Sequence, residues 1–136
     1  MPGEWFFDTS ILIYAFAAGD RRSARAESLL AEGGVIGVQV HNEFTNVVRR
    51  KLGWDWSQVH AAIGVISELT GPALSLTAEI HTQAVKLARE SSLAFYDALI
   101  VAAAADAGCR LLLTEELQHG RRFGGVTVQN PFLEET

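Results

Sequence analysis

Short apolar runs set between longer segments of helical apolar spacing constrain this chain more than any other feature. The runs are Glu4 to Asp8, Val35 to Val38, Ala73 to Leu76, Leu111 to Leu113 and Val126 to Val128. Each is too short for a helix and apolar enough to be a strand buried on both faces. Between them, apolar residues recur at helical spacing. Val40, Phe44, Val47, Val48 and Leu52 form one stripe, Val59, Ile63, Ile66 and Leu69 a second, and Ile80, Ala84, Leu87 and Ala88 a third. Ile11 to Ala18, Asp20 to about Ala31, and the alanine-rich run through residues 93–105 complete the helical set, with Gly108 closing the last. Strands alternating with amphipathic helices predict an α/β fold: a mostly parallel, five-stranded sheet covered on both faces. In such sheets ligands bind beyond the carboxyl ends of the strands, near a switch in strand order.

The 136 residues carry no repeat or linker and predict one domain over 1–136, large enough to bury a real core. One cysteine, Cys109, allows neither an internal disulfide nor a cysteine metal cluster, which fits a reducing cytoplasm. The apolar N-terminal stretch lacks a positive start and is split by Asp8, so no signal peptide is expected. No apolar span reaches the ~20 residues of a membrane helix. The net charge of −5 argues against a nucleic-acid partner unless some of the acids are neutralised by a cation. An acidic end follows Asn130-Pro131-Phe132.

Four acidic positions stand out. Asp8 ends the first strand, Glu115 and Glu116 follow the fourth, and Glu43 sits on or at the edge of a core-facing stripe. Asp97 shares a helix face with Ile100 and Val101. Each has an ordinary reading as a turn acid, an edge acid, a loop charge or a helix-start residue. Taken together they lie where a parallel sheet opens its crevice. Two carboxylates at ~4 Å and an effective dielectric of ~20 repel by about 4 kcal/mol, so a cluster must hold protons or a cation. Oxygen ligands without Cys or paired His favour Mg²⁺ or Mn²⁺. Such an ion serves phosphodiester hydrolysis. There is no G-x-G-x-x-G or P-loop sequence, and Ser10 lacks a nucleophile-elbow context. His41, His60 and His81 are scattered, and only His119, in the loop after the fourth strand, is a candidate to approach a substrate. Trp54 and Trp56 read as packing residues.

The chain resembles the PIN-domain family, and within it the VapC-type toxin ribonucleases of type II toxin–antitoxin pairs. The matching stretches are Phe7-Asp8-Thr9-Ser10-Ile11-Leu12-Ile13-Tyr14, Asn42-Glu43-Phe44, residues 93–104, residues 113–120, and Asn130-Pro131-Phe132. The resemblance implies a three-layer α/β/α sandwich and an endoribonuclease that hydrolyses RNA with Mg²⁺, for which Mn²⁺ substitutes. It implies Asp8, Glu43, Asp97 and Glu116 as catalytic acids, with Asp8, Asp97 and Glu116 on the metal. The family's fourth acid is usually an aspartate two residues after the threonine matched by Thr114. Here that position is Glu116 preceded by Glu115, so either glutamate can fill the role, and Thr114 can help hold the metal or its water. A homodimer and a cognate antitoxin are the implied partners.

Setting those four acids aside leaves 12 against 11 basic residues. Arg121 and Arg122, with His119, then become candidates for substrate phosphate. Arg49, Arg50 and Lys51 read more simply as a solvated helix end. Two other readings keep the fold: a PIN nuclease of RNA processing that is not a toxin, and a catalytically silent PIN module that binds proteins.

Overall fold

The structure is a computed structural model that describes residues 4–133; the acidic end beyond Leu133 lies outside the described residues. Strand β1 (Trp5–Phe7) is followed by α1 (Thr9–Ile13), which widens into a π turn over Tyr14–Ala18. Helices α2 (Ser23–Glu32), α3 (Val38–Arg50), α4 (Trp56–Thr70), α5 (Ala78–Ser91) and α6 (Phe95–Asp106) come next. Strands β2 (Leu111–Leu113), β3 (Arg122–Phe123) and β4 (Val126–Gln129) finish the chain. The sheet order is β1-β2-β4-β3, with β1, β2 and β4 parallel and β3 antiparallel to β4.

Neighbouring residues in a strand face opposite sides. Phe6 and Phe7 are both fully buried, as is Leu112, with Leu113 2% exposed. Both faces of the sheet are therefore covered, and the α/β fold expected from the sequence is present. Residues of α1 to α4, of α6 (Ile100, Val101 and Ala104) and of the strands form the main core. Ile80, Ala84, Ala98, Leu99 and Ala102 form a second cluster where α5 packs on α6. No described helix is long and apolar enough to cross a membrane.

The sheet has four strands, not the five expected. Val35 to Val38 and Ala73 to Leu76 are reduced to single parallel bridges, Phe6 to Val35 and Gly37 to Leu74. The first is cut short at both ends. Gly34 lies so close under the Phe7 ring that a Cβ there would come within 2.4 Å of it, and α3 begins a residue early, at Val38, with Gly37 as its cap. The second is an outer edge between Pro72 and the α5 cap Thr77, with Leu74 and Leu76 both more than 40% exposed. In place of the lost pair, Arg122–Phe123 folds back on β4 through Gly124-Gly125. Phe123 pairs with Val126 across this two-residue loop, and Gly124 has φ +59°. A two-residue hairpin needs such positive φ, which glycine adopts without strain.

Strand order places the site. From β1 the chain steps outward through Val35 to Leu74, then returns to β2 on the other side of β1 and continues to β4. The direction of travel reverses between β1 and β2, and the crevice opens at their carboxyl ends.

Candidate active site

Asp8 follows β1 directly, in extended conformation, and is the N-cap of α1. Its Oδ1 accepts from the Thr9 backbone N–H at 2.7 Å. Thr114 follows β2 directly, and its hydroxyl donates to Asp8 Oδ2 at 2.6 Å. From α3, Glu43 reaches the same crevice with both oxygens engaged. Oε2 accepts from the Thr9 hydroxyl at 2.8 Å and Oε1 from the Gln39 side-chain amide at 2.7 Å. That amide also reaches the Tyr96 carbonyl at 3.4 Å, one residue before Asp97 in the first turn of α6. Among the described residues, the buried polar side chains are Asp8, Thr9, Gln39 and Thr114. All four belong to this single network. Buried polar groups are costly unless bonded, so concentrating them here is a structural commitment to one place.

The electrostatics tie in the other acids. Burial, reinforced by the charges of Glu116 and Glu43, pushes the Asp8 carboxyl up to about 6 despite the two hydrogen bonds that favour its ionised form. The Asp97 carboxyl is raised by burial and then by Glu43. Glu116 is raised by burial and then by Asp97, Glu43 and Glu115, with Lys51 opposing weakly. The charge of Glu43 thus acts on Asp8, Asp97 and Glu116 alike, which ties the three raised carboxyls to one crevice.

Glu115 goes elsewhere. Its carboxylate accepts from the Tyr14 hydroxyl at 2.5 Å and from Arg22 Nη1 at 2.7 Å. Arg22 also lies 4.1 Å over the Tyr14 ring and pairs with Asp20. Burial and the Glu115 bond push the Tyr14 hydroxyl up to about 12, so it stays a donor. Of the two glutamates, Glu116 is the one coupled to the acid cluster.

The remaining candidates are not gathered here. His119 Nδ1 accepts from the Asn130 backbone N–H at 3.0 Å. Arg121 donates to the Ser91 carbonyl at 2.7 Å, at the end of α5, and lies over the Phe123 ring. Arg122 is on β3, at the sheet edge two strands from β2. The sequence reading overlooked Gln39 and the Thr9 hydroxyl. Gln39 stands one turn before Glu43 on the same helix face, beside Val40, and a polar residue on a core-facing stripe was the signal available.

Among the described residues, no three or more His, Cys, Asp and Glu side chains are arranged tightly enough to hold a metal ion. The donors nevertheless suit a hydrated Mg²⁺, which takes one or two carboxylates directly and keeps several waters. They are all oxygens, and beside them Gln39 Oε1 is a buried acceptor without a hydrogen-bond partner. One or two of Asp8, Asp97 and Glu116 could hold such an ion directly, with the rest reaching it through its waters.

The PIN-domain profile matches residues 5–121. The chain belongs to the PIN-domain family. No curated protein sequence matches it significantly. Among solved structures it is similar to VapC20 of Mycobacterium tuberculosis, a sarcin–ricin loop cleaving toxin. The identity is 25%, over 79% of this chain and 86% of that one, with a TM-score of 0.65. It is also similar to a toxin–antitoxin complex from Klebsiella pneumoniae, at 23% identity over 93% of this chain and 97% of that one, TM-score 0.72. VapBC2 from Rickettsia felis, bound to a promoter DNA fragment, shares the fold at 18% identity, with 93% and 97% covered and a TM-score of 0.68.

Proposed function

We propose that this PIN domain is a metal-dependent endoribonuclease and the toxin of a type II toxin–antitoxin pair. One observation carries the reading: at the switch point between β1 and β2 the charge of Glu43 raises the carboxyls of Asp8, Asp97 and Glu116, with Glu116 also acting on Asp8 and Asp97 on Glu116. Asp8, Asp97 and Glu116 are the proposed metal ligands, and Glu43 completes the catalytic acids. A bound Mg²⁺ would supply Lewis-acid activation of water and offset charge developing on the phosphoryl oxygens. The chain's own residues do the positioning. Thr114 and the Thr9 N–H fix the Asp8 carboxylate, and Gln39 and the Thr9 hydroxyl fix both oxygens of Glu43. A shallow crevice of ≈ 350 Å³, lined by Glu43, Asn46, Lys51 and Glu116 among others, gives the scissile phosphate its place. An RNA substrate is supported by the sarcin–ricin loop cleavage of VapC20, and an antitoxin partner by the Klebsiella complex. A homodimer is part of the same proposal.

The direct test is cleavage of single-stranded RNA by the purified chain with Mg²⁺, with Mn²⁺ and with EDTA. Cleavage with either ion, absent in EDTA and lost in Asp97→Asn, is expected. Equal cleavage in EDTA, or by Asp97→Asn, would overturn the reading.

A further inference from the structure

The last turn of α3 meets the start of α4 around two tryptophans with different fates. Trp54 is half-buried and packs edge-on against Phe44 at 5.9 Å, as a core residue does. Trp56 does not pack. It is 64% exposed, the most expensive kind of residue to leave in water without a use. The ring is held in place from one side. The Arg49 guanidinium lies 4.1 Å over it while Nη1 donates to the Trp54 carbonyl at 2.7 Å. The capping box of Asp55 and Gln58 fixes the helix start that carries it. One ring face is therefore braced by a cation, while most of the residue stays in solvent.

The exposed ring borders a depression of ≈ 390 Å³, lined by Asn42, Thr45, Asn46, Arg49, Arg50 and Trp56. Asn46 also lines the crevice that holds Glu43 and Glu116, so the two lie on either side of one side chain. Glu43, Asn46 and Arg50 follow at three- and four-residue spacing along one face of α3. At 1.5 Å per residue, Glu43 and Arg50 are about 10 Å apart along the axis, the reach of a short stretch of extended strand. In this molecule of net charge −5, Arg49, Arg50 and Lys51 gather positive charge at that end of the helix.

We infer that Trp56, braced by Arg49, is a stacking platform for one unpaired base of a single-stranded RNA, with Arg50 on the adjoining phosphate and the scissile bond at the acid cluster. The inference rests on the nuclease reading for its direction along the strand. Stacking on an aromatic face needs no particular base, whereas the bases of a duplex are already stacked on each other. The subsite therefore selects single strands over duplexes and tolerates many sequences.

The test is binding of a short fluorescein-labelled single-stranded RNA of mixed sequence, and of its duplex, in EDTA so that binding is read without turnover. Wild type should prefer the single strand, and its tryptophan fluorescence should be quenched on binding. Trp56→Ala should weaken binding about tenfold, Trp56→Phe should retain most of the affinity, and Arg50→Ala should lower the salt slope by about 1. Unchanged melting temperatures confirm that the variants fold. Wild-type affinity in Trp56→Ala, or equal affinity of wild type for duplex, overturns the inference. So does a Trp56→Ala variant whose oligomeric state changes while its RNA affinity does not, since the platform is then a protein contact. If wild type cuts RNA and Trp56→Ala binds normally, the subsite fails and the nuclease stands. If wild type binds through Trp56 yet cuts nothing with metal, the nuclease fails and the platform stands.

Discussion

The Thr114 hydroxyl donates to Asp8 Oδ2 at 2.6 Å and joins the ends of β1 and β2, 106 residues apart in the chain. The same oxygen accepts from the Glu116 backbone N–H at 3.1 Å, so one side chain sets both Asp8 and the turn that carries Glu116. Removing the hydroxyl leaves a buried carboxylate short of a donor, a loss of about 1–3 kcal/mol. Thr114→Val should therefore lower stability by that amount at pH 7.5, while Thr114→Ser keeps most of it. Urea unfolding of the three proteins measures the difference. Equal midpoints for Thr114→Val and wild type would show that the hydrogen bond contributes nothing.

Asp8 itself is unfavourable to the metal-free fold. Burial pushes its carboxyl up to about 6 in the fold, against the ordinary aspartate value of 3.8, so the unfolded chain holds its charge more easily. The raised value means that wild-type stability from this group is full below pH 4 and is lost as pH rises through about 6. About two pKa units correspond to roughly 3 kcal/mol above that range. Asp8→Asn keeps the Thr9 N–H bond through Oδ1, and Nδ2 can donate to the Thr114 oxygen once the threonine hydroxyl turns away and gives up its own acceptor. In EDTA at pH 7.5 it should thus be more stable than wild type by up to about 3 kcal/mol, and the gain should vanish near pH 4. A variant less stable than wild type at pH 7.5 would contradict this account of Asp8.

Divalent metal should offset that difference. An ion that binds only the folded chain stabilises it by about 2.7 kcal/mol at a hundred times its Kd. Binding must displace the proton that the Asp8 carboxyl, raised to about 6, retains at low pH, so the effect grows with pH. Millimolar Mg²⁺ or Mn²⁺ should raise the wild-type melting temperature more at pH 7.5 than at pH 5.5, and should not raise that of Asp8→Asn. Calorimetry at the two pH values reads this directly. A shift that is the same at both, or that persists in Asp8→Asn, would place the ion elsewhere.

Much of this was legible in the chain because burial leaves a periodic trace. The core stripe around Val40, Phe44 and Val48 located α3 and put Glu43 at its inner edge. The apolar triplets around Phe6 and Leu112 located the two strands whose ends carry Asp8 and Thr114. What escaped were contacts decided by tertiary packing. Val35 to Val38 is apolar enough for a strand, but the Gly34 approach to Phe7 and the early start of α3 leave room for a single bridge. The hairpin at Gly124-Gly125 was signalled by its two glycines yet masked by polar neighbours. Arg121 gave no sign that it would reach the Ser91 carbonyl, because that bond spans 30 residues. Trp54 and Trp56 look alike two positions apart, and only the helix junction decides which one packs.

The two adjacent glutamates show the same limit and give the sharpest test of the site. Sequence spacing leaves Glu115 and Glu116 nearly equivalent. In the fold, Glu115 is held by Arg22 and Tyr14, and Glu116 shares the field of Asp97 and Glu43. Glu116→Gln should reduce RNA cleavage about 100-fold or more, since even residues that only support metal ligands cost 10–100-fold. It should also weaken the metal-induced rise in melting temperature. Glu115→Gln loses the charge facing Arg22, a partly exposed pair that contributes little. Its cleavage rate should stay within a few-fold of wild type, and its stability should fall slightly with or without metal. Single-turnover cleavage and metal titration of the two variants, side by side, separate the roles; a larger loss at Glu115 would assign the fourth acid to the wrong glutamate.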